Sequence, residues 1–167
     1  MAATVAADVL PTTVTTRAIT FSYPNGWSRT DWDQPSSFAY MVAAVSNHAL
    51  KTPCTHSLMS WSCGQPVDQV QAGTLLVEWW QNAFPGWTFA AQTGTAFTVG
   101  GFPAKMQDPA DLTTVCPNLS AESAMQVIID RPEATGNYFA FTACFKGPAV
   151  AAEKSEALDI LASAQFK

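Results

Sequence analysis

Cys54-Thr55-His56 followed by Cys63 brings together three residues of metal-ligating type in one short stretch. Zinc takes four ligands, usually with two cysteines two to four residues apart, and the chain contains no Cys-x-x-Cys. The spacing suits a loop closed by a disulfide better, so no metal is expected. His56 beside Ser57, Ser60 or Ser62, with Asp68 as orienting acid, is the base and nucleophile set to weigh, and His48 is the only other histidine. No Gly-x-Ser-x-Gly elbow accompanies it, and no glycine-rich phosphate loop precedes a helix. Serine and histidine are ordinary loop residues, so the chain is expected not to be an enzyme and to need no cofactor. Asp31-Trp32-Asp33 offers two carboxylates where calcium needs six to eight oxygens, and turn capping accounts for it better.

Glu78 lies between Val77 and Trp79 in the apolar run Leu75 to Trp80. Inside a core its carboxyl would titrate high. Period-two alternation instead sets it with Leu76 and Trp80, on the less apolar side, as a solvated carboxylate. Leu75, Val77 and Trp79 then face the core. Pro85 and Gly86 turn the chain just beyond and present Phe84 and Trp87. Glu78, Trp80, Phe84 and Trp87 are therefore the candidate binding surface, three large aromatics with a polar handle, the composition of an interface hot spot. Six Trp and ten Phe exceed what a core of this size requires. The competing account is that segment 47–73 folds over this face and buries it.

The elements that hold these residues read mostly as strands. Ile19, Phe21 and Tyr23 alternate with Ala18, Thr20 and Ser22 in a strand stopped by Pro24-Asn25-Gly26, and Trp27 to Trp32 returns as a second. Phe38 to Ser46 is a third, apolar on both sides, so each side needs a cover. Residues 47–73 show no clear period and read as a long loop stapled by Cys54 and Cys63. Phe97 to Met106 forms a hairpin around Gly100-Gly101, with Pro103 marking its second arm as an edge or bulge. Asp108 to Ser120 is a polar loop. Ala124 to Asp130 and Asn137 to Lys146 form another hairpin through Pro132 to Gly136, with Phe139, Phe141, Ala143 and Phe145 on its core side. Pro148 opens a closing helix with an apolar stripe of Val150, Ala157, Leu158, Leu161 and Ala164. Glu153, Lys154, Glu156 and Asp159 face water. Without helices between strands the sheet must be largely antiparallel, an α+β fold packed by a C-terminal helix.

The 167 residues carry a net charge of −5, with only 13% charged side chains against ~25% in an average domain. No basic cluster exists, which excludes nucleic acid as a natural partner. Four cysteines allow three pairings, and Cys54–Cys63 with Cys116–Cys144 is expected. Such bonds persist in oxidising compartments, so the protein is expected to be extracytoplasmic: secreted, periplasmic or lipid-anchored. Residues 1–16 read as a tail, either loose or an edge strand, without the basic and apolar regions of a signal peptide, and 17–167 as one domain. No run is long and apolar enough to span a bilayer.

Three short segments carry a family resemblance. Phe21-Ser-Tyr-Pro-Asn-Gly-Trp27, Val99-Gly-Gly-Phe-Pro-Ala-Lys105, and Tyr138 to Phe145 with the helix ending Leu161-Ala-Ser-Ala-Gln-Phe166 resemble the opening strand, Gly-rich hairpin and closing strand and helix of PsbP-like domains. The resemblance implies a curved antiparallel sheet with helices packed on it, and its motifs are structural. The paired cysteines depart from the plant photosystem subunit of that family. On these grounds the expected function is a non-enzymatic accessory or binding module that docks on a protein partner, larger assembly or cell-envelope component through an aromatic surface. The alternatives are a carrier of a small apolar ligand, in a pocket between sheet and long loop, and, more remotely, a hydrolase.

Overall fold

A computed structural model describes residues 12–131 and 137–167. Its strands are β1 (Thr12–Thr15), β2 (Ile19–Tyr23), β3 (Ser28–Thr30), β4 (Ala39–Ser46), β5 (Cys54–His56), β6 (Trp61–Cys63), β7 (Leu75–Asn82), β8 (Thr95–Val99), β9 (Phe102–Gln107), β10 (Ser123–Ile129), β11 (Tyr138–Phe145) and β12 (Gln165–Phe166). Among the described residues two α-helices, α1 (Leu112–Val115) and α2 (Val150–Ala162), and a 3-10 turn at Phe89–Ala91 complete the regular structure. Seven strands form one antiparallel sheet in the order β3-β4-β7-β11-β10-β9-β8. A smaller sheet, β1-β2-β12, and a stapled hairpin, β5-β6, stand apart from it. The fold is thus mostly antiparallel sheet with a C-terminal helix, as expected.

Both sides of the large sheet are covered. On one side Trp79, Phe141, Phe145, Val77 and Val127 pack against Ile19 and Phe21 of the small sheet and Ala157, Ile160 and Leu161 of α2. On the other, Leu76, Ala44, Met41 and Ala124 meet mostly irregular chain: Val70 from one loop, and from another Val115, at the end of the one-turn α1, with Cys116 and Leu119 beyond it. The Cys116–Cys144 bond pins the second loop to β11, and Cys54–Cys63 closes the β5-β6 hairpin. Both pairings match expectation.

Several expectations are corrected. Trp27 to Trp32 does not pair with the preceding strand; Ser28–Thr30 joins the large sheet beside β4, so the Pro24–Gly26 turn carries the chain from one sheet to the other. Segment 47–73 contains the two short strands β5 and β6. Gly100 and Gly101 both take positive φ, as a two-residue type I′ turn requires. The arm bearing Pro103 is nevertheless interior, flanked by β8 and β10, and the edge is β8. Pro103 is tolerated because the β10 register stops one residue short, at Ile129 opposite Ala104. On α2, Leu158 is exposed and Ile160 takes its place inside, while Glu153 is buried one turn before Ala157. Burial, with Glu156 adding repulsion, raises the Glu153 pKa. The turn at Pro132 to Gly136 and the first eleven residues of the expected tail lie outside the described residues; its last part is β1.

Candidate functional site

Strand alternation sets Leu76, Glu78, Trp80 and Asn82 on the loop-covered side of β7, and the register places Ala39 and Tyr138 on either side of Asn82. Three neighbouring strands therefore finish at the same end of the sheet. Just past Asn82, Ala83 N–H donates to the Phe38 carbonyl (2.9 Å) and the Asn137 side-chain amide donates to the Phe84 carbonyl (2.8 Å). Gly86, at φ 73°, lets the chain turn back so that Trp87 N–H reaches the Phe84 carbonyl.

The result is a row of four rings. Phe38 and Phe84 lie parallel at 6.1 Å, Phe84 approaches Tyr138 at 6.4 Å, and Tyr138 stacks on Trp87 at 4.2 Å. Phe38 and Phe84 are 50% and 42% exposed, well above the level of core phenylalanines. Tyr138 is half-buried, and that burial raises its hydroxyl pKa against a lowering hydrogen bond from Asn82. The row is an exposed apolar shelf fixed by backbone hydrogen bonds. Phe84 and Trp87 of the expected surface both belong to it. Phe38 and Tyr138 escape sequence reasoning, because only the register between strands far apart in sequence brings them there.

Glu78 is not a solvated carboxylate. It is 1% exposed, opposite Ala44 on one side and Thr142 on the other. Alternation gives its side correctly, but the irregular chain covering that side makes it interior. Its Oε2 accepts the Trp80 indole N–H at 2.9 Å, while Oε1 and the facing Thr142 hydroxyl are both buried without a well-formed hydrogen bond. Burial outweighs these polar neighbours and pushes the Glu78 pKa up to about 7. Trp80 is only half-buried and meets Trp32 edge-on at 5.0 Å; Trp32 in turn donates its N–H to the Gly64 carbonyl at 3.0 Å. Glu78 is thus sealed by an indole pair tied to the stapled loop, and it leaves the candidate surface.

The other chemical candidates do not assemble. His56 Nε2 contacts Asp33 at 2.6 Å, Asp68 pairs with Lys51, and Ser57 bonds Ser60, so Asp68 does not orient His56. His48 bonds Asn47 and Thr74. Asp31 pairs with Arg29. Asp33 lies beside the Cys54 and Cys63 sulfurs, but their disulfide withholds both from a metal ion. At the tip of that hairpin Leu58 and Met59 stand fully exposed. Beside the 47–73 segment a depression of about 580 Å³ has a mixed wall, with His48, Lys51, Asp68 and Thr74 next to Ala49, Pro66 and Val67.

No family model, curated protein or solved structure matches this chain.

Proposed function

We propose that this chain is an extracytoplasmic accessory or binding module with a PsbP-like sandwich architecture, and that it docks on a protein partner through the Phe38–Phe84–Tyr138–Trp87 shelf. The observation that carries the reading is the shelf itself. Rigidly held aromatics left open to water are the usual anchors of a protein interface, because they bury large area at little cost in side-chain freedom. Two disulfides are consistent with an oxidising compartment, and no helix among the described residues is long and apolar enough to cross a membrane. The architecture is supported by a second layer of sheet and helix on one side of the main sheet.

A photo-crosslinking phenylalanine analogue at position 84, introduced into the protein in its source cells, tests the reading. One discrete cross-linked protein is expected, absent when the analogue is placed at Leu158 and lost in a Trp87→Ala background. Equal products from both positions would show that the shelf is not the docking surface.

A further inference from the structure

Where the small sheet parts from the large one, a cleft of about 700 Å³ opens between Thr16–Ala18 and Lys167 on one side and residues 35–40 on the other. That volume falls in the range of small-molecule sites. Its floor includes Val42, the extra residue where the β4–β7 register slips between Met41 and Ala43, so a bulge turns this side chain toward the gap. Ala39, Ala83 and Phe38 extend the apolar wall. Polar groups converge at the mouth. Arg17 is exposed and forms no ion pair among the described residues. Tyr40 and Gln81 lie opposite each other in the strand register and both line the cleft. Lys167 adds a second cation, its ammonium donating to the Thr16 carbonyl at 2.6 Å. Among the described residues Asp33 brings an acid to the lining, where its carboxylate contacts His56.

We infer that this cleft binds a small amphipathic anion, its apolar body on Val42, Ala39 and Ala83 and its carboxylate or phosphate head at Arg17 and Tyr40. A planar guanidinium matches either head group with two parallel hydrogen bonds. A chain of net charge −5 repels anions in general, so Arg17 and Lys167 beside an apolar floor select for ligands that carry both features. Burial raises the Tyr40 hydroxyl pKa, Asp31 and Asp33 raise it further and Arg17 only partly opposes them, so Tyr40 keeps its proton and can donate it to a head group. The site is separate from the docking shelf apart from Phe38, which borders both.

Calorimetric titration of the intact protein with decanoate, decyl phosphate and decanol is the test, with amide chemical-shift mapping to locate the binding. At least one of the two anions is expected to bind tenfold or more tightly than decanol, with shifts centred on Tyr40, Val42 and Gln81. The tighter anion identifies the head group. Arg17→Gln, at an exposed position, should weaken that anion at least tenfold and leave decanol unchanged. Ala83→Trp should fill the cleft and remove binding of all three; if that variant fails to fold, Arg17→Gln decides by itself. Absence of binding by both anions, equal affinity for decanol, insensitivity to Arg17→Gln, or shifts centred on Phe84 and Trp87 would each overturn the assignment.

Discussion

The two sides of the large sheet are stabilised by different means. One side is covered by regular elements, the small sheet and α2, and its interior holds large apolar side chains around Trp79 and Phe141, whose rings meet at 4.8 Å. The other is covered by mostly irregular chain, with only the short α1 within it, and it holds the buried Glu78, the Thr142 hydroxyl and a disulfide. Regular elements satisfy their own backbone groups and can press a continuous apolar surface onto the sheet. Irregular chain cannot, so here it is anchored point by point, through Cys116–Cys144, the Val70 N–H to the Leu119 carbonyl, and the Trp32 N–H to the Gly64 carbonyl. The shelf grows from the end of this second side. Large apolar side chains dominate the first side, where Glu153 and the Trp79 indole N–H are the polar exceptions, while the second combines Glu78 and Thr142 with a disulfide.

Cutting into the regular side should have the largest effect. Trp79→Ala should destabilise the protein by about 4 kcal/mol through lost burial and a cavity, read as a shift in denaturant midpoint. A loss below about 1 kcal/mol would mean that this side is not the main source of stability. Removing the anchor on the other side, with Cys116 and Cys144 both changed to Ala, should cost about 3.5 kcal/mol for a separation of 28 residues. Amide exchange should then rise in the loop around Leu119 before it rises in α2; the reverse order would break the contrast.

Glu78 sharpens the comparison through pH. Its folded pKa of about 7 lies above the ordinary 4.5, so between these values the unfolded chain ionises while the folded chain keeps its proton. Stability should therefore fall by about 3 kcal/mol as pH rises through that window and level off above it. Glu78→Gln should flatten this slope, so the variant gains on the wild type at pH 8 relative to pH 5. Parallel pH profiles for the two proteins would refute the assignment. The smallest effect belongs to the exposed His56–Asp33 contact. His56→Ala should change stability by less than about 1 kcal/mol, since solvent screens such pairs.

The strand content, the core side of β11, both disulfides and the closing helix are legible in the sequence, because alternation, cysteine count and turn residues are local signals. What is not legible depends on pairing between distant segments. Nothing near Ser28 says that it joins β4 and not β2, and nothing near Phe38 or Tyr138 says that they meet Phe84. Glu78 shows the same limit in another form. Periodicity tells which side a residue faces, but not whether irregular chain will later cover that side. Charge alone assigns Glu153 to water, yet its place four residues before Ala157 puts it on the buried stripe.

The β5-β6 hairpin has one more consequence. Its four-residue turn, closed by the Ser57 N–H to the Ser60 carbonyl, lifts Leu58 and Met59 clear of the protein, where a digestive enzyme can reach them. Cleavage between those two residues leaves residues 1–58 and 59–167 still joined by Cys54–Cys63. The nicked molecule runs as one species until a reductant is added and as two afterwards. A cut there is therefore silent to size and visible only to reduction.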